Sequence, residues 1–316
     1  MAGLSGSPVV VTGASGFVGG ALVRRLRADG VPVRAVVRTP GKGGPDALRG
    51  PALGPDADWS ALLAGADAVV HTAAHVHVEA TGDETAGSAF RVANVEGTRR
   101  LAEQAAAAGV RRFVFISSIG VNGPRADHPF TESDAPAPQG PYARSKFEAE
   151  QVLREVAAQA GMQWVVLRPP LVYGPAAPGN FARLVCWMAR GVPLPLGAVH
   201  NRRTLVAIDN LVDLIVTCLH SEAAAGQVFL AGDGESLSTP DLLRIVAQAQ
   251  GRRACLLPVP VALLRAAAAL VGRSTDAERL CGNLEVDIGK ARRVLGWTPP
   301  LPAHEALRRA VVEAGS

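Results

Sequence analysis

Near its start, this chain places three evenly spaced glycines directly after a short apolar strand. The strand is Val9–Thr12, and a helical pattern follows over Phe17–Ala28; Gly13, Gly16 and Gly19 occupy the turn and the first helical turn. In that context one glycine makes a tight turn, one lets the backbone approach a pyrophosphate, and one lets helix and strand pack closely. The helix N-terminus offers free N–H groups and a partial positive charge to the phosphates. The sequence therefore predicts a dinucleotide-binding site.

Short apolar runs alternate with helical patterns through the first half of the chain. Strands this apolar, separated by helices, are typical of a parallel sheet covered on both faces. The predicted fold class is therefore α/β, a Rossmann doubly wound parallel sheet. A third strand is expected in the Gly/Pro-rich stretch 40–55, at a position that the pattern does not fix. The other predicted strands are Val9–Thr12, Val33–Val37, Ala68–His71, Phe113–Ile116 and Trp164–Leu167, and the predicted helices are Phe17–Ala28, Ser88–Ala108 and Tyr142–Gly161.

After Leu167 the pattern changes to a turn-rich exit from the sheet, followed by shorter elements. The chain is expected to return to the main sheet near Leu205–Ile208 and Val228–Leu230. The later segments predict a smaller C-terminal α/β substrate lobe over the carboxyl edge of the sheet. Residues 1–172 together with 205–231 are predicted to form the dinucleotide-binding domain, and residues 173–204 together with 232–316 the substrate lobe.

Composition and charge narrow the class of partner. Hydrophobic residues make up 48 % and charged residues 19 %, as in a globular protein, and the net charge is +4. No Lys/Arg block suggests nucleic acid, whereas a mildly positive surface suits an anionic ligand. The apolar stretch Val261–Val271 is interrupted by Arg265 and is too short to span a bilayer, and the N-terminus has no secretory pattern. With four widely spaced cysteines, these features predict a cytoplasmic protein that contacts neither nucleic acid nor membrane.

Tyr142 and Lys146 lie one helical turn apart in the chain. A free tyrosine has a pKa of about 10, which is too high for easy proton exchange at neutral pH. A nearby ammonium group and a nicotinamide cation both favour the phenolate and lower that pKa. A Tyr/Lys pair at this spacing is common by chance on a helix surface, and here it gains meaning from the glycine turn that precedes it. Together the two motifs predict a nicotinamide-dependent oxidoreductase.

The second predicted strand ends in Val36-Val37-Arg38, at the position that selects the cofactor. A carboxylate there would hold the ribose 2′-hydroxyl and favour NAD. An arginine can instead neutralise a 2′-phosphate and stack on adenine. Arg38 therefore predicts NADP as the cofactor, with NAD as the alternative and an ordinary surface arginine as the competing interpretation.

Three histidines fall close together at His71, His75 and His77. Such a cluster raises the question of a metal ion, but no acidic or cysteine partner accompanies it. We therefore predict no metal site. His75 and His77 are expected to line the substrate cleft instead, or to lie on its rim.

The matches to known motifs extend through nearly the whole chain, which resembles the extended short-chain dehydrogenase/reductases. The resemblance is greatest to the nucleotide-sugar epimerase/dehydratase/reductase branch of that family. Besides the glycine turn and the Tyr142/Lys146 pair, the segments that carry it are Leu63–Ala74, Asn94–Thr98, Ser117-Ser118, Arg168–Pro175, Asn201–Thr204, Asp209–Leu211 and Leu295–Trp297.

The resemblance implies a role for each matched residue, and it implies a homodimer formed by two helices per subunit. Tyr142 would be the general acid/base, Lys146 its partner and Ser118 the group that binds the reacting oxygen. The substrate, a nucleotide-diphosphate sugar, would contact His75, Ser118, Asn180 and Arg202, with Arg203 as a close competitor of Arg202. With Tyr142 and Lys146, the implied cofactor contacts are Gly13, Ser15, Gly16, Phe17, Val18, Arg38, Leu53, Thr72, Ala73, Ala74, Asn94, Pro169 and Val172.

Departures from the family pattern bear on the type of reaction. Family dehydratases carry an Asp-Glu pair directly after the catalytic Ser or Thr, whereas Ile119 and Gly120 follow Ser118 here. Neither residue transfers protons, so dehydration is not expected. Val121–Gly123 also lacks the tyrosine that family epimerases often have, which weighs against a simple UDP-glucose 4-epimerase.

A further departure lies near the adenine. The family usually offers an aspartate to the adenine amino group, and the equivalent position here is Ala52, just before Leu53. Asp56 and Asp58 are nearby alternatives, and backbone atoms are another.

These observations predict an NADP-preferring oxidoreductase acting at C4 of a nucleotide-linked hexose. The first expectation is reduction of a UDP-4-keto-6-deoxy-N-acetylhexosamine in surface-polysaccharide biosynthesis. The alternatives are a UDP-glucose or UDP-N-acetylglucosamine 4-epimerase, a reductase of a non-nucleotide ketone, and a non-catalytic NADP-binding sensor.

Overall fold

The computed structural model describes residues 6–76, 83–125, 127–270, 272 and 274–314. His77 lies outside the described residues. The structure divides into a large sheet with helices on both faces and a smaller lobe built around a second sheet.

A seven-stranded sheet in the order β3-β2-β1-β4-β5-β6-β9 forms the larger part. Every neighbouring pair in it is parallel, which confirms the predicted Rossmann-type sheet. The third strand is a two-residue edge strand paired with Val36 and Val37. The strands are β1 Val9–Thr12, β2 Val33–Val37, β3 Leu48–Arg49, β4 Ala68–His71, β5 Arg112–Ile116, β6 Gln163–Arg168, β7 Leu171–Tyr173, β8 Arg203–Ala207, β9 Gln227–Leu230 and β10 Ser236–Leu237.

Helices cover both faces of this sheet because its strands are apolar on both sides. On one face Leu22 and Leu211 pack against the strands, and on the other face Leu101 and Leu153 do so. The helices are α1 Phe17–Ala28, α2 Ser60–Leu63, α3 Asp83–Phe90, α4 Gly97–Ala107, α5 Gly140–Ala160, α6 Asn180–Arg190, α7 Ile208–His220, α8 Thr239–Ala249, α9 Val261–Leu270, α10 Ser274–Cys281, α11 Gly289–Leu295 and α12 Ala303–Ala314, with short 3₁₀ turns at Ile119–Val121 and Glu222–Ala224.

The predicted helix Ser88–Ala108 is longer than expected and contains an irregularity. It begins at Asp83, and a π-helical segment, Arg91–Glu96, separates α3 from α4. Insertions of this type in α-helices are frequent at functional sites. Asn94, predicted to contact the cofactor, lies inside this segment.

The smaller sheet corrects one sequence expectation. Leu205–Ile208 was expected in the main sheet, but β8 pairs with β7 in parallel and with β10 antiparallel, in the order β10-β8-β7. Hydropathy does not distinguish the two locations, because β8 is as buried as a main-sheet strand. The expected return near Val228–Leu230 is confirmed by β9. The proposed division into two domains stays a prediction.

The parallel arrangement brings the functional motifs to one edge. β1, β2, β4, β5 and β6 all end on the same side of the sheet, because parallel strands run in one direction. The glycine turn, Arg38, Thr72, Ser118 and Pro169 each follow one of these strands. Among the described residues, no helix is long and apolar enough to cross a membrane.

Candidate active site

The glycine turn uses its three glycines in different ways. Gly13 has a φ of +71°, and a Cβ there would lie 2.8 Å from the Ala73 backbone N. A Cβ on Gly19 would lie 2.3 Å from the Gly13 carbonyl oxygen. Gly16 is exposed, and the one atom near a Cβ there would be the same oxygen, at 3.1 Å. Gly13 and Gly19 are therefore required by packing, whereas Gly16 leaves the backbone open to a ligand.

The start of α1 has the character of an anion site. Its N-cap residue, Gly16, has no side chain to bond the first N–H groups, and no acidic residue lies in the first turn. The N–H groups of Phe17 and Val18 therefore remain available beside exposed Ser15. These residues fit the pyrophosphate of a dinucleotide, which is the group that a helix N-terminus after a glycine turn stabilises.

A buried hydrogen-bond chain fixes the two strand ends next to this turn. Thr12 Oγ1 lies 2.6 Å from His71 Nδ1, and His71 Nε2 lies 3.1 Å from Thr98 Oγ1. Thr98 donates its own hydroxyl to the Asn94 carbonyl, so His71 Nε2 must be the donor to Thr98. Burial, with a smaller effect of the Lys146 charge, lowers the pKa of His71 to about 3. His71 is therefore a neutral structural residue.

Asn94 connects the loop after β4 to helix α5. Its Oδ1 accepts a hydrogen bond from the His75 backbone N at 2.8 Å, and its Nδ2 donates to the His75 carbonyl at 3.0 Å. The same Nδ2 lies 3.0 Å from Ser145 Oγ, and Ser145 donates to the Tyr142 carbonyl at 2.8 Å. In the part of the chain that the structure describes, His75 Nδ1 is buried without a hydrogen-bond partner.

Tyr142 and Lys146 are both held near the ends of β4 and β5. The Tyr142 ring meets Phe90 edge-on at a centroid distance of 5.9 Å. Lys146 is 2 % exposed, and its Nζ lies 4.1 Å from the centre of the Phe115 ring. Because Phe115 is on β5, this contact places the ammonium group over the sheet edge.

The electrostatics of the pair differ from the sequence expectation. Burial raises the pKa of Tyr142, whereas a lowered pKa was expected. Burial also lowers the pKa of Lys146 to about 7, although the Glu150 charge opposes that change. Desolvation is the cause of the raised pKa of Tyr142, so burial outweighs the nearby lysine in the protein alone.

Two neighbouring serines have different roles. Ser118 begins the 3₁₀ turn, and its Oγ accepts a hydrogen bond from Gly120 N at 3.1 Å. That arrangement leaves the Ser118 hydroxyl proton free to donate to a substrate oxygen. Ser117 is buried and donates to Glu150 Oε1 at 2.5 Å instead.

A buried ion pair behind this site was missed by the sequence reasoning. Arg168 donates to Glu150 through Nε at 2.9 Å and through Nη2 at 2.6 Å, a bidentate arrangement. Its Nη1 donates to Asn122 Oδ1 at 3.0 Å. The available signal was Glu150 itself, an acidic residue one helical turn after Lys146 on a face that α5 buries.

The remaining predicted cofactor residues lie along the same edge. Arg38 is exposed at the end of β2, and Ala74 and Val172 are half-buried. Leu53 packs against Gly97 at the start of α4. A Cβ added to Gly97 would lie 2.9 Å from the Cβ of Leu53. The Pro169 carbonyl accepts a hydrogen bond from Ile119 N at 3.0 Å.

The predicted substrate contacts Asn180 and Arg202 lie in the lobe. Asn180 is the first residue of α6, following Gly179, and its side chain lies outside the described part of the structure. The Arg202 side chain is 64 % exposed, and its Nε bonds Glu285 Oε2 at 2.7 Å. Arg203 donates to the Gly282 carbonyl at 3.1 Å. The substrate roles of Asn180 and Arg202 stay predictions.

Comparisons with known proteins agree with this geometry. Residues 9–232 match the NAD dependent epimerase/dehydratase family. A UDP-glucose 4-epimerase of Vibrio cholerae is 39 % identical over 306 residues, covering 95 % of this chain and 93 % of that protein. Another UDP-glucose 4-epimerase, from Mycolicibacterium smegmatis, is 31 % identical over 328 residues, covering 96 % of each.

Among solved structures, MoeE5 in complex with UDP-glucuronic acid and NAD is similar over 98 % of this chain and 99 % of that one. The TM-score is 0.79 and the identity 27 %. The glycine turn, the Tyr/Lys pair and these relatives all indicate the same protein family. The chain belongs to the NAD dependent epimerase/dehydratase family of enzymes, within the extended short-chain dehydrogenase/reductases.

Proposed function

We propose that the protein is an oxidoreductase acting at C4 of a nucleotide-linked hexose, and that it reduces a UDP-4-keto-6-deoxy-N-acetylhexosamine with NADPH. The observation that carries the proposal is the position of Tyr142 and Lys146. Helix α5 holds both at the carboxyl edge of the sheet, the edge that also carries the glycine turn that fits a dinucleotide. A hydride donor and a proton donor would therefore meet at one carbonyl group.

The residues divide the reaction between them. A bound nicotinamide cofactor supplies the hydride. Tyr142, whose raised pKa keeps it protonated, donates its proton to the C4 oxygen as negative charge develops there. Ser118 donates a hydrogen bond to the same oxygen. Lys146 would contact the ribose of the bound cofactor and would assist the return of a proton to Tyr142. Ile119 and Gly120 offer no group to remove a proton from C5, which argues against dehydration.

Arg38 supports NADPH over NADH. In Arg38→Ala we expect KM for NADPH to rise about 10- to 100-fold, because charge-assisted hydrogen bonds to the 2′-phosphate are lost. KM for NADH should stay nearly unchanged. Steady-state kinetics with both cofactors test this, with Arg244→Ala, an exposed arginine on α8, as the matched control. An equal effect on both cofactors would remove the argument for NADP.

A second candidate is a UDP-hexose 4-epimerase, in which the same groups act in both directions on a tightly held cofactor. The identity of 39 % with a UDP-glucose 4-epimerase favours it. The two functions differ in cofactor balance. A reductase consumes NADPH, whereas an epimerase returns its cofactor unchanged.

One assay separates the candidates. Purified protein is mixed with NADPH and a UDP-4-keto-6-deoxy-N-acetylhexosamine, and nicotinamide absorbance is followed. Oxidation that depends on the sugar supports the reductase. Interconversion of UDP-glucose and UDP-galactose without net cofactor change supports the epimerase instead. Activity on a simple ketone that is insensitive to substitution of Asn180 and Arg202 would overturn both.

A further inference from the structure

Helix α9 exposes apolar side chains that a surface helix normally turns inward. None of its residues is fully buried. Val261 and Leu264 pack partly against the lobe core, whereas Leu263 is 61 % exposed and Leu270 is 88 % exposed. Leu263 and Leu270 are seven residues apart and so lie on one side of the helix, with alanines between them. The result is an apolar stripe facing away from the protein.

Two further segments, one leading into α9 and one paired with it, also expose apolar side chains. Leu194 N donates to the Cys255 carbonyl at 2.9 Å, and Leu257 N donates to the Leu194 carbonyl at 2.8 Å. These bonds hold the segment after α6 beside the one that leads into α9. Val192 and Leu257 are 48 % and 47 % exposed there. We call Val192, Leu257, Leu263 and Leu270 the lobe patch.

The surroundings of the lobe patch are rich in arginine, and Glu278 is paired with one of these arginines. Segments 181–208 and 242–275 contain no Asp or Glu, although the chain has 28 acidic residues. Arg190, Arg252 and Arg253 are exposed, and a Cβ on Gly191 would lie 3.8 Å from Arg252 Nη1. Arg265 pairs with Glu278 at 3.2 Å. Within the described ranges, the other three arginines have no carboxylate partner.

We propose that the lobe patch docks on an anionic phospholipid bilayer. Leu263 and Leu270 enter the boundary between headgroups and acyl chains, while Arg190, Arg252 and Arg253 contact lipid phosphates. An apolar stripe flanked by arginines is the chemistry of a helix that lies in the membrane interface. The ten residues of α9 are too few to span a bilayer. This proposal departs from the sequence expectation of no membrane contact and is independent of the substrate.

Vesicle sedimentation of the full chain tests the proposal. We expect binding to vesicles of equimolar phosphatidylcholine and phosphatidylglycerol, little binding to phosphatidylcholine alone, and release by salt. The double variant Arg252→Ala/Arg253→Ala should lower the partition coefficient about 25-fold, because each arginine near an anionic surface contributes about a fivefold factor. Leu270→Ser should lower it about tenfold, because a buried apolar side chain is lost.

Matched controls distinguish membrane binding through the lobe patch from binding through exposed charged or apolar side chains elsewhere on the protein. Arg24→Ala/Arg308→Ala removes two exposed arginines from α1 and α12, and Leu48→Ser removes an exposed leucine from β3. Both should leave the partition coefficient unchanged. Because α9 buries none of its residues, Leu270→Ser should also keep the wild-type melting temperature. Equal binding to both vesicle types, no binding to either, or equal losses in test and control variants would overturn the proposal.

Discussion

Tyr142→Phe is expected to lower kcat by a factor of about 100 to 10,000 while leaving dinucleotide affinity nearly unchanged. The substitution removes the proton donor and keeps the ring that meets Phe90 edge-on. Positioned acid/base groups typically contribute a factor of this size. The substitution leaves every residue of the glycine turn, which fits the pyrophosphate, unchanged, so binding and chemistry should separate.

Cofactor titration and single-turnover hydride transfer in the same preparation measure the two effects. Tyr173→Phe is the matched control, since the chain has two tyrosines. The Tyr173 hydroxyl donates to Asp233 at 2.7 Å, in a network with Asn210 that links the lobe to α7. That variant should lose stability and keep kcat per folded molecule. If Tyr142→Phe retained most of its turnover, another group would have to supply the proton.

Glu150→Gln is expected to lower the free energy of unfolding by about 3–5 kcal/mol. Glu150 and Arg168 are fully or almost fully buried, and the carboxylate accepts both branches of the guanidinium. The amide keeps the shape of the side chain but leaves the Arg168 charge buried without a counter-ion, which is the costly way to break such a pair. The same change should lower the pKa of Lys146 below about 7, because Glu150 raises it in the native protein.

Denaturant unfolding measures the stability change, and Glu155→Gln is the matched control. Glu155 is on the same helix, with a side chain 62 % exposed and 4.0 Å from Arg99. Exposed pairs contribute at most about 1 kcal/mol, so that variant should unfold nearly as the wild type does. If both variants lost a similar amount of unfolding free energy, the loss would come from a general change in helix α5 and not from breaking the buried ion pair.

The sequence was most informative where local pattern and position in the fold agree. The run Val9–Thr12 is fully buried, and the turn after it needs glycine at Gly13 and Gly19 for steric reasons that any Cβ would violate. Tyr142 and Lys146 were identified from helical spacing, and helix α5 places both at the expected edge. In each case a short local pattern, a strand followed by a glycine turn or a helical spacing, was enough to identify the residues.

What the sequence did not predict depends on contacts between distant segments. Arg168 and Glu150 become partners because β6 and α5 pack together, and no local pattern records that pairing. The pKa of Tyr142 was expected to fall, but the fold buries both members of its pair and desolvation prevails. Likewise, the sequence did not predict that β8 lies in the smaller sheet, because its apolar residues are compatible with either sheet.

Because of the π-helical segment around Asn94, two parts of the proposed active site are held in place before a ligand binds. One amide group holds the backbone of the loop at His75 and, through Ser145, the first turn of the helix that carries Tyr142. The loop at His75 and Tyr142, the proposed proton donor, are therefore aligned during folding, before any ligand arrives. The entropy of fixing their relative positions is lost once per molecule rather than once per turnover.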